Sequence, residues 1–177
     1  FTPSVSQVTS SATAMLRAVS IQQPSITDSS DAGFFVVPDG PVYYVSVSGS
    51  NLNSGLSPLA SMASVAALIN AYDLDAGNTV FVASGRYRLL KDLLISAADS
   101  GIRIEGPVVG SGEVPLAVLN RGNQNSGADV VEVTGQGVTL ANLRLTGGYT
   151  GVNGVNADDL TITGCWIDNC LYYGVNT

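Results

Sequence analysis

The chain has 177 residues, 45% of them hydrophobic, which suits one main folded body with a core of its own. Only 12% are charged, the net charge is −7, and the seven basic residues are scattered along the sequence, which argues against nucleic-acid binding, since phosphate contacts need clustered Lys and Arg. Histidine is absent, so imidazole bases, His-dependent nucleophiles and His zinc ligands are excluded.

Residues 1–40 read as a Ser/Thr-rich lead-in or linker, with one apolar phrase, "AMLRAVSI", that could lie as a strand. The fold proper begins near Pro41, where "PVYYVSVSGSNLNSG" sets an alternating strand against a polar loop. In "SPLASMASVAALINAYDLDAGN", Met62, Val65, Ala66, Leu68 and Ile69 recur at helical spacing. This predicts one short amphipathic helix, with Ser61 able to cap its start and Gly77 beyond its end. From Thr79 onward strand-like runs dominate ("TVFVA", "DLLIS", "GIRIEG", "PLAVLN", "DVVEVTG", "VTL", "LRL", "LTI", "CWI"), and no further helix is expected.

No apolar stretch approaches the roughly 18 residues a membrane helix needs. The chain opens on Phe1 without a signal-peptide pattern, which predicts a processed or excised protein. Its acidic, Lys-poor, Ser/Thr/Gly/Asn-rich make-up predicts an extracellular or cell-surface setting, while Cys165 and Cys170 do not settle the compartment.

The last third repeats itself. Thr139, Leu140, Leu143 and Leu145 fall on Thr161, Ile162, Cys165 and Ile167 at an offset of 22, and the two Gly-Val-Asn phrases, at Gly151 and Gly174, at an offset of 23. Val130 and Val133 align with Val152 and Val155 one period earlier. A period in the twenties predicts a solenoid in which each turn buries its inner side chains against the next. A leucine-rich repeat nearly fits Leu140 to Gly148 and Ile162 to Cys170, but it must return through helical material, and "YTGVNGVNADD" is poor helix former. An all-strand turn is the better reading. About 22 extended residues at ~3.3 Å each trace roughly 70 Å, enough for three short sides.

From about Val42 to the end, the ordered phrases "VYYVSVSGSNLNSGLSPLASMASVAALINAY", "NTVFVASGRY", "GIRIEGP", "GVTLANLRLTGG" and "LTITGCWIDN" resemble the opening of right-handed parallel β-helix proteins of the pectate-lyase-like superfamily. The resemblance implies a right-handed parallel β-helix over residues 41–177, incomplete at its C-terminal end, with the helix as an N-terminal cap. It does not imply one reaction, because that superfamily spans lyases, glycosidases, epimerases, tailspikes and adhesins. Its calcium-dependent lyases use acidic metal ligands and an Arg or Lys base, and in the most similar of them these residues lie on later turns of the helix. No catalytic residue and no resident cofactor are therefore expected, with Ca²⁺ implied only if the chain is lyase-like.

Lys91, the single lysine, reads as a surface residue. Asp158 and Asp159 read as solvated turn residues, and no pair spacing singles out an acid and base among Asp129, Glu132, Asp158 and Asp168. Arg144 and Trp166 occupy equivalent outward positions on neighbouring turns, where guanidinium could stack on indole. That pair is read first as structural. Its alternative role is a sugar-binding platform with Tyr149, Asp168, Tyr172 or Tyr173. Cys165 takes the inward slot of Leu143, Cys170 sits at the next corner, and a disulfide between them stays open. Asn153 and Asn176 are expected to stack as a structural ladder.

Two functions stand at this point. The favoured one is a non-catalytic module or N-terminal portion of a larger extracellular or surface protein, adhesin- or tailspike-like, with a polysaccharide or cell-surface glycan as partner. The alternative is a polysaccharide lyase or other carbohydrate-active enzyme whose active residues lie mostly beyond residue 177. The last turn is expected to be covered by a continuation of the chain or by self-association.

Overall fold

The structure, a computed structural model, describes residues 13–14, 17–19, 21–29, 34–35 and 42–177. The chain divides into two units, Phe1–Gly40 and Pro41–Thr177. The first carries short strands β1 (Thr13–Ala14), β2 (Arg17–Val19), β3 (Thr27–Ser29) and β4 (Phe34–Phe35), paired antiparallel as β1 with β4 and β2 with β3. The expected "AMLRAVSI" strand is thus met at Arg17–Val19. Met15, Leu16 and Ser20 lie outside the described residues.

The second unit opens with β5 (Val42–Val45), a 3-10 turn at Pro58–Ala60 and helix α1 (Val65–Ala71). The chain then makes four passes: β6 (Thr79–Val82), β7 (Gly85–Arg88) and β8 (Leu93–Ile95); β9 (Arg103–Glu105), β10 (Ala117–Asn120) and β11 (Val131–Val133); β12 (Thr139–Ala141), β13 (Leu143–Thr146) and β14 (Thr150–Gly154); β15 (Thr161–Thr163), β16 (Trp166–Asp168) and β17 (Tyr173–Asn176). Each pass gives one strand to each of three sheets, ordered β5-β6-β9-β12-β15, β7-β10-β13-β16 and β8-β11-β14-β17. Every neighbour in these sheets is parallel. The unit is therefore mostly β-strand in parallel sheets, with one α-helix among the described residues.

The period-2 alternation of each strand points one set of side chains between the sheets. Val80, Ile104 and Leu140 form one inward column that continues to Ile162, and Tyr87, Leu119 and Leu145 form another that continues to Ile167. Except for the last member of each column, these residues are buried. Each buried aliphatic side chain contributes about 1.5–3 kcal/mol relative to exposure. The pairings Thr139 with Thr161, Leu140 with Ile162 and Leu145 with Ile167 match the 22-residue offset, and Val152 with Val175 matches the 23.

Three expectations need correction. Val152 pairs with Val131, not Val130, and Val133 faces Gly154, not Val155, which is exposed. Val130 and Val131 are both buried where the chain turns into β11, so burial alone could not choose between them. Ser64, not Ser61, caps α1: its hydroxyl accepts from Ala67 N at 3.3 Å. Ser61 is buried instead, and its carbonyl accepts from Ser50 N and Asn53 Nδ2. Besides α1 there are two 3-10 turns, Pro58–Ala60 and Ala97–Asp99, the second closed by Ser96, whose backbone N and hydroxyl both donate to Asp99 Oδ2.

The passage from β12 to β13 takes a single residue, Asn142, at φ 53, and the next pass turns at Gly164, at φ 60. Both are left-handed positions, which Asn and Gly tolerate best. A Cβ at Gly164 would also collide with the Asn142 side chain. Helix α1 buries Val65, Leu68 and Ile69 and packs against β8, the first strand of its sheet.

Candidate functional site

At the corner between β13 and β14, and again between β16 and β17, the chain presents tyrosines on successive passes. Tyr172 N donates to Tyr149 O at 2.8 Å, which sets the two backbones in step. Their rings stack with centroids 5.1 Å apart and planes 14° from parallel. Tyr173 meets Tyr172 edge-on at 4.2 Å. Hydrogen bonding to Tyr172, then the electrostatic influence of that ring, pushes the Tyr173 phenol above its ordinary range. Tyr172 is 60% exposed and Tyr173 45%, so the cluster stands at the surface.

Beside them runs a polar column. Asn176 Nδ2 donates to Asn153 Oδ1 at 2.9 Å, and Asn153 Nδ2 donates to Asp129 Oδ2 at 2.9 Å. The other Asp129 oxygen accepts from Thr150 N at 3.2 Å, so this buried carboxylate has a donor on each oxygen. The asparagine ladder read from the sequence is present, with Asp129 as a foot that the sequence reading did not assign to it. Column and tyrosines line one cleft of about 210 Å³, to which Gly127 and Thr150 also contribute.

Arg144 and Trp166 are register neighbours on β13 and β16, as the repeat predicts. The guanidinium, however, is engaged by Asp168, with Nη2 to Oδ2 at 2.6 Å and Nε to Oδ1 at 3.2 Å. Of the ring contacts among the described residues, none involves Trp166, so the expected stack gives way to a two-point carboxylate fork. That fork is the main cause holding the Asp168 carboxyl below its usual range, with a Thr146 hydrogen bond helping, and it raises Arg144. Of the residues proposed for a sugar platform, Tyr149, Tyr172 and Tyr173 are brought together; Arg144 and Asp168 form a separate pair, with Trp166 beside Arg144.

Both cysteines are free thiols. Cys165 Sγ lies 3.5 Å from Leu140 O, in keeping with its inward slot, and Cys170 Sγ lies 3.4 Å from Asp168 O. Desolvation is the first cause that raises each thiol, and for Cys170 the carboxylates of Asp168 and Asp129 add to it. Lys91 is exposed, and Asp158 and Asp159 are exposed in a turn with Asp159 at φ 57. Glu132 sits in register with Asn153. Among the described residues, no three Cys, Asp or Glu side chains are grouped to hold a metal ion. Nor is any helix long and apolar enough to cross a membrane.

Set against protein-family models, curated proteins and solved structures, the chain matches none of them.

Proposed function

We propose that residues 41–177 form turns of a right-handed parallel β-helix of the pectate-lyase-like type, serving as a non-catalytic, glycan-contacting module of an extracellular or cell-surface protein. The cyclic visit of the chain to three parallel sheets supports the architecture. The strong right-handed preference of connections between parallel strands supports the hand. The glycan reading rests on one observation: the Tyr149–Tyr172 stack stands next to the Asp129–Asn153–Asn176 column in a single cleft. Aromatic faces suit the C–H faces of a sugar, and a row of amide and carboxylate groups suits its hydroxyls.

Titration calorimetry against a panel of neutral oligosaccharides tests this. At least one should bind, and Tyr172→Ala should weaken it by about 3- to 10-fold. Failure of every sugar to bind, or binding indifferent to Tyr172, sinks the cleft. Unsaturated product released from polygalacturonate with Ca²⁺, followed by absorbance, would overturn the non-catalytic part.

A further inference from the structure

Most of the basic residues, though scattered in sequence, fall on one sheet or at its corner. Of the seven, Arg86, Arg88 and Arg144 belong to the sheet β7-β10-β13-β16, and Lys91 and Arg121 follow β7 and β10 at its corner. Two of these five are neutralised internally: Arg144 by Asp168, and Arg121 by Asp92 at 2.7 Å. Arg86 and Arg88 are exposed on one side of β7, alternating with buried Tyr87. Neither guanidinium has an ion-pair or hydrogen-bond partner among the described residues.

Register explains why. Arg144 lies opposite Trp166, and the carboxylate it grips, Asp168, is two residues further along β16. Arg86 lies opposite Val118, and the residue two further along β10 is Asn120. Asn120 thus stands toward Arg86 as Asp168 stands toward Arg144, but with no charge to offer. The acid of the loop that leads into β10, Glu113, accepts from Gly110 N within that loop. Arg86 and Arg88 line a cleft of about 170 Å³ together with Val47, Ala63 and Ser64.

We propose that Arg86 and Arg88 form an oxyanion site on this sheet, taking the carboxylate or sulfate groups of an acidic glycan where Asn120 supplies no internal carboxylate. Guanidinium forks match both oxyanions in geometry and hold them by charge-assisted hydrogen bonds. A glycan is favoured over nucleic acid because two unpaired arginines on a chain of net charge −7 are too few for a phosphate backbone, which needs clustered Lys and Arg. The site is separate from the tyrosine cleft and does not depend on it.

The test is calorimetry at low salt with oligogalacturonate and with a heparin-derived oligosaccharide as probes, on wild type, Arg86→Gln/Arg88→Gln, Asn120→Asp and Tyr172→Ala. Binding of either probe by wild type, weakened at least about tenfold in the double arginine variant with thermal unfolding unchanged, supports the site. Which probe binds identifies carboxylate or sulfate as the source. Asn120→Asp should weaken binding comparably by handing Arg86 a carboxylate of its own, while Tyr172→Ala should leave binding intact. Binding unaffected by the arginine substitutions, binding of neither probe, or preference for a single-stranded oligonucleotide over both overturns the proposal.

Discussion

Asn176 donates through Nδ2 to Asn153 Oδ1 at 2.9 Å, and Asn153 repeats the gesture one pass earlier toward the buried carboxylate of Asp129. The ladder therefore ends on an acceptor-only group that also receives the Thr150 amide. An asparagine in the middle of such a column is both donor and acceptor, and its loss leaves both neighbours short.

Asn153→Ala should accordingly destabilise the protein by about 1–3 kcal/mol, because Asp129 loses a donor in a buried setting. Asn176→Ala, at the exposed end of the column, should cost about 0.5 kcal/mol or less. Urea denaturation of the two variants measures the difference, and equal costs would deny the column a direction.

The Arg144–Asp168 fork predicts a pH dependence. Asp168 is held below its ordinary range by Arg144, so the stability it contributes is complete above the unfolded carboxylate value, about 3.9, and is lost as pH falls through the lower folded value. Both side chains are about one-third exposed, which limits the contribution to below about 1 kcal/mol. Denaturation of wild type and Asp168→Asn should show a constant gap well above the unfolded carboxylate value that closes as pH falls below it. A gap that widens on acidification would reverse the assignment.

Burial pushes both thiols up, so at pH 8 little thiolate is present. A thiol-exchange dye at that pH should react with the native chain at least about tenfold more slowly than with the unfolded chain, and the native rate should still be climbing above pH 9. Rapid native reaction at pH 8 would place the sulfurs in water.

Leu140 and Ile162 are register partners, one fully buried and one only partly. Leu140→Ala should cost about 2–5 kcal/mol and Ile162→Ala clearly less, measured by the same denaturation. Similar costs would mean that the last pass is covered in solution by something that buries Ile162.

The final two passes were legible in the sequence because their connections are nearly equal in length, so Thr139 and Thr161 keep one offset. The second pass was not, because loops at 106–116 and 121–130 separate its strands, although Ala117 still pairs with both Gly85 and Leu143. Strand pairing survives insertions that erase a period. Outward positions were read correctly for Arg144 and Trp166, but a face does not say which neighbour a long guanidinium selects. The choice of Asp168 follows from the strength of a two-point charged fork over contact with a ring. Asp129 was missed as the ladder's foot because the register partner of Asn153 is Glu132, and Asp129 reaches the column from three residues earlier, before β11 begins. The strand β7 escaped the list of apolar runs because only Tyr87 of "GRYR" is a large buried side chain.

The chain has one tryptophan, and it sits on β16, the terminal strand of its sheet at the end opposite β7. Its emission is therefore a local optical gauge of the last pass, whereas far-ultraviolet dichroism averages over every strand. If the ends of these sheets open before their middles, the fluorescence transition will precede the dichroic one, and the lag between them will measure how tightly the four passes are coupled.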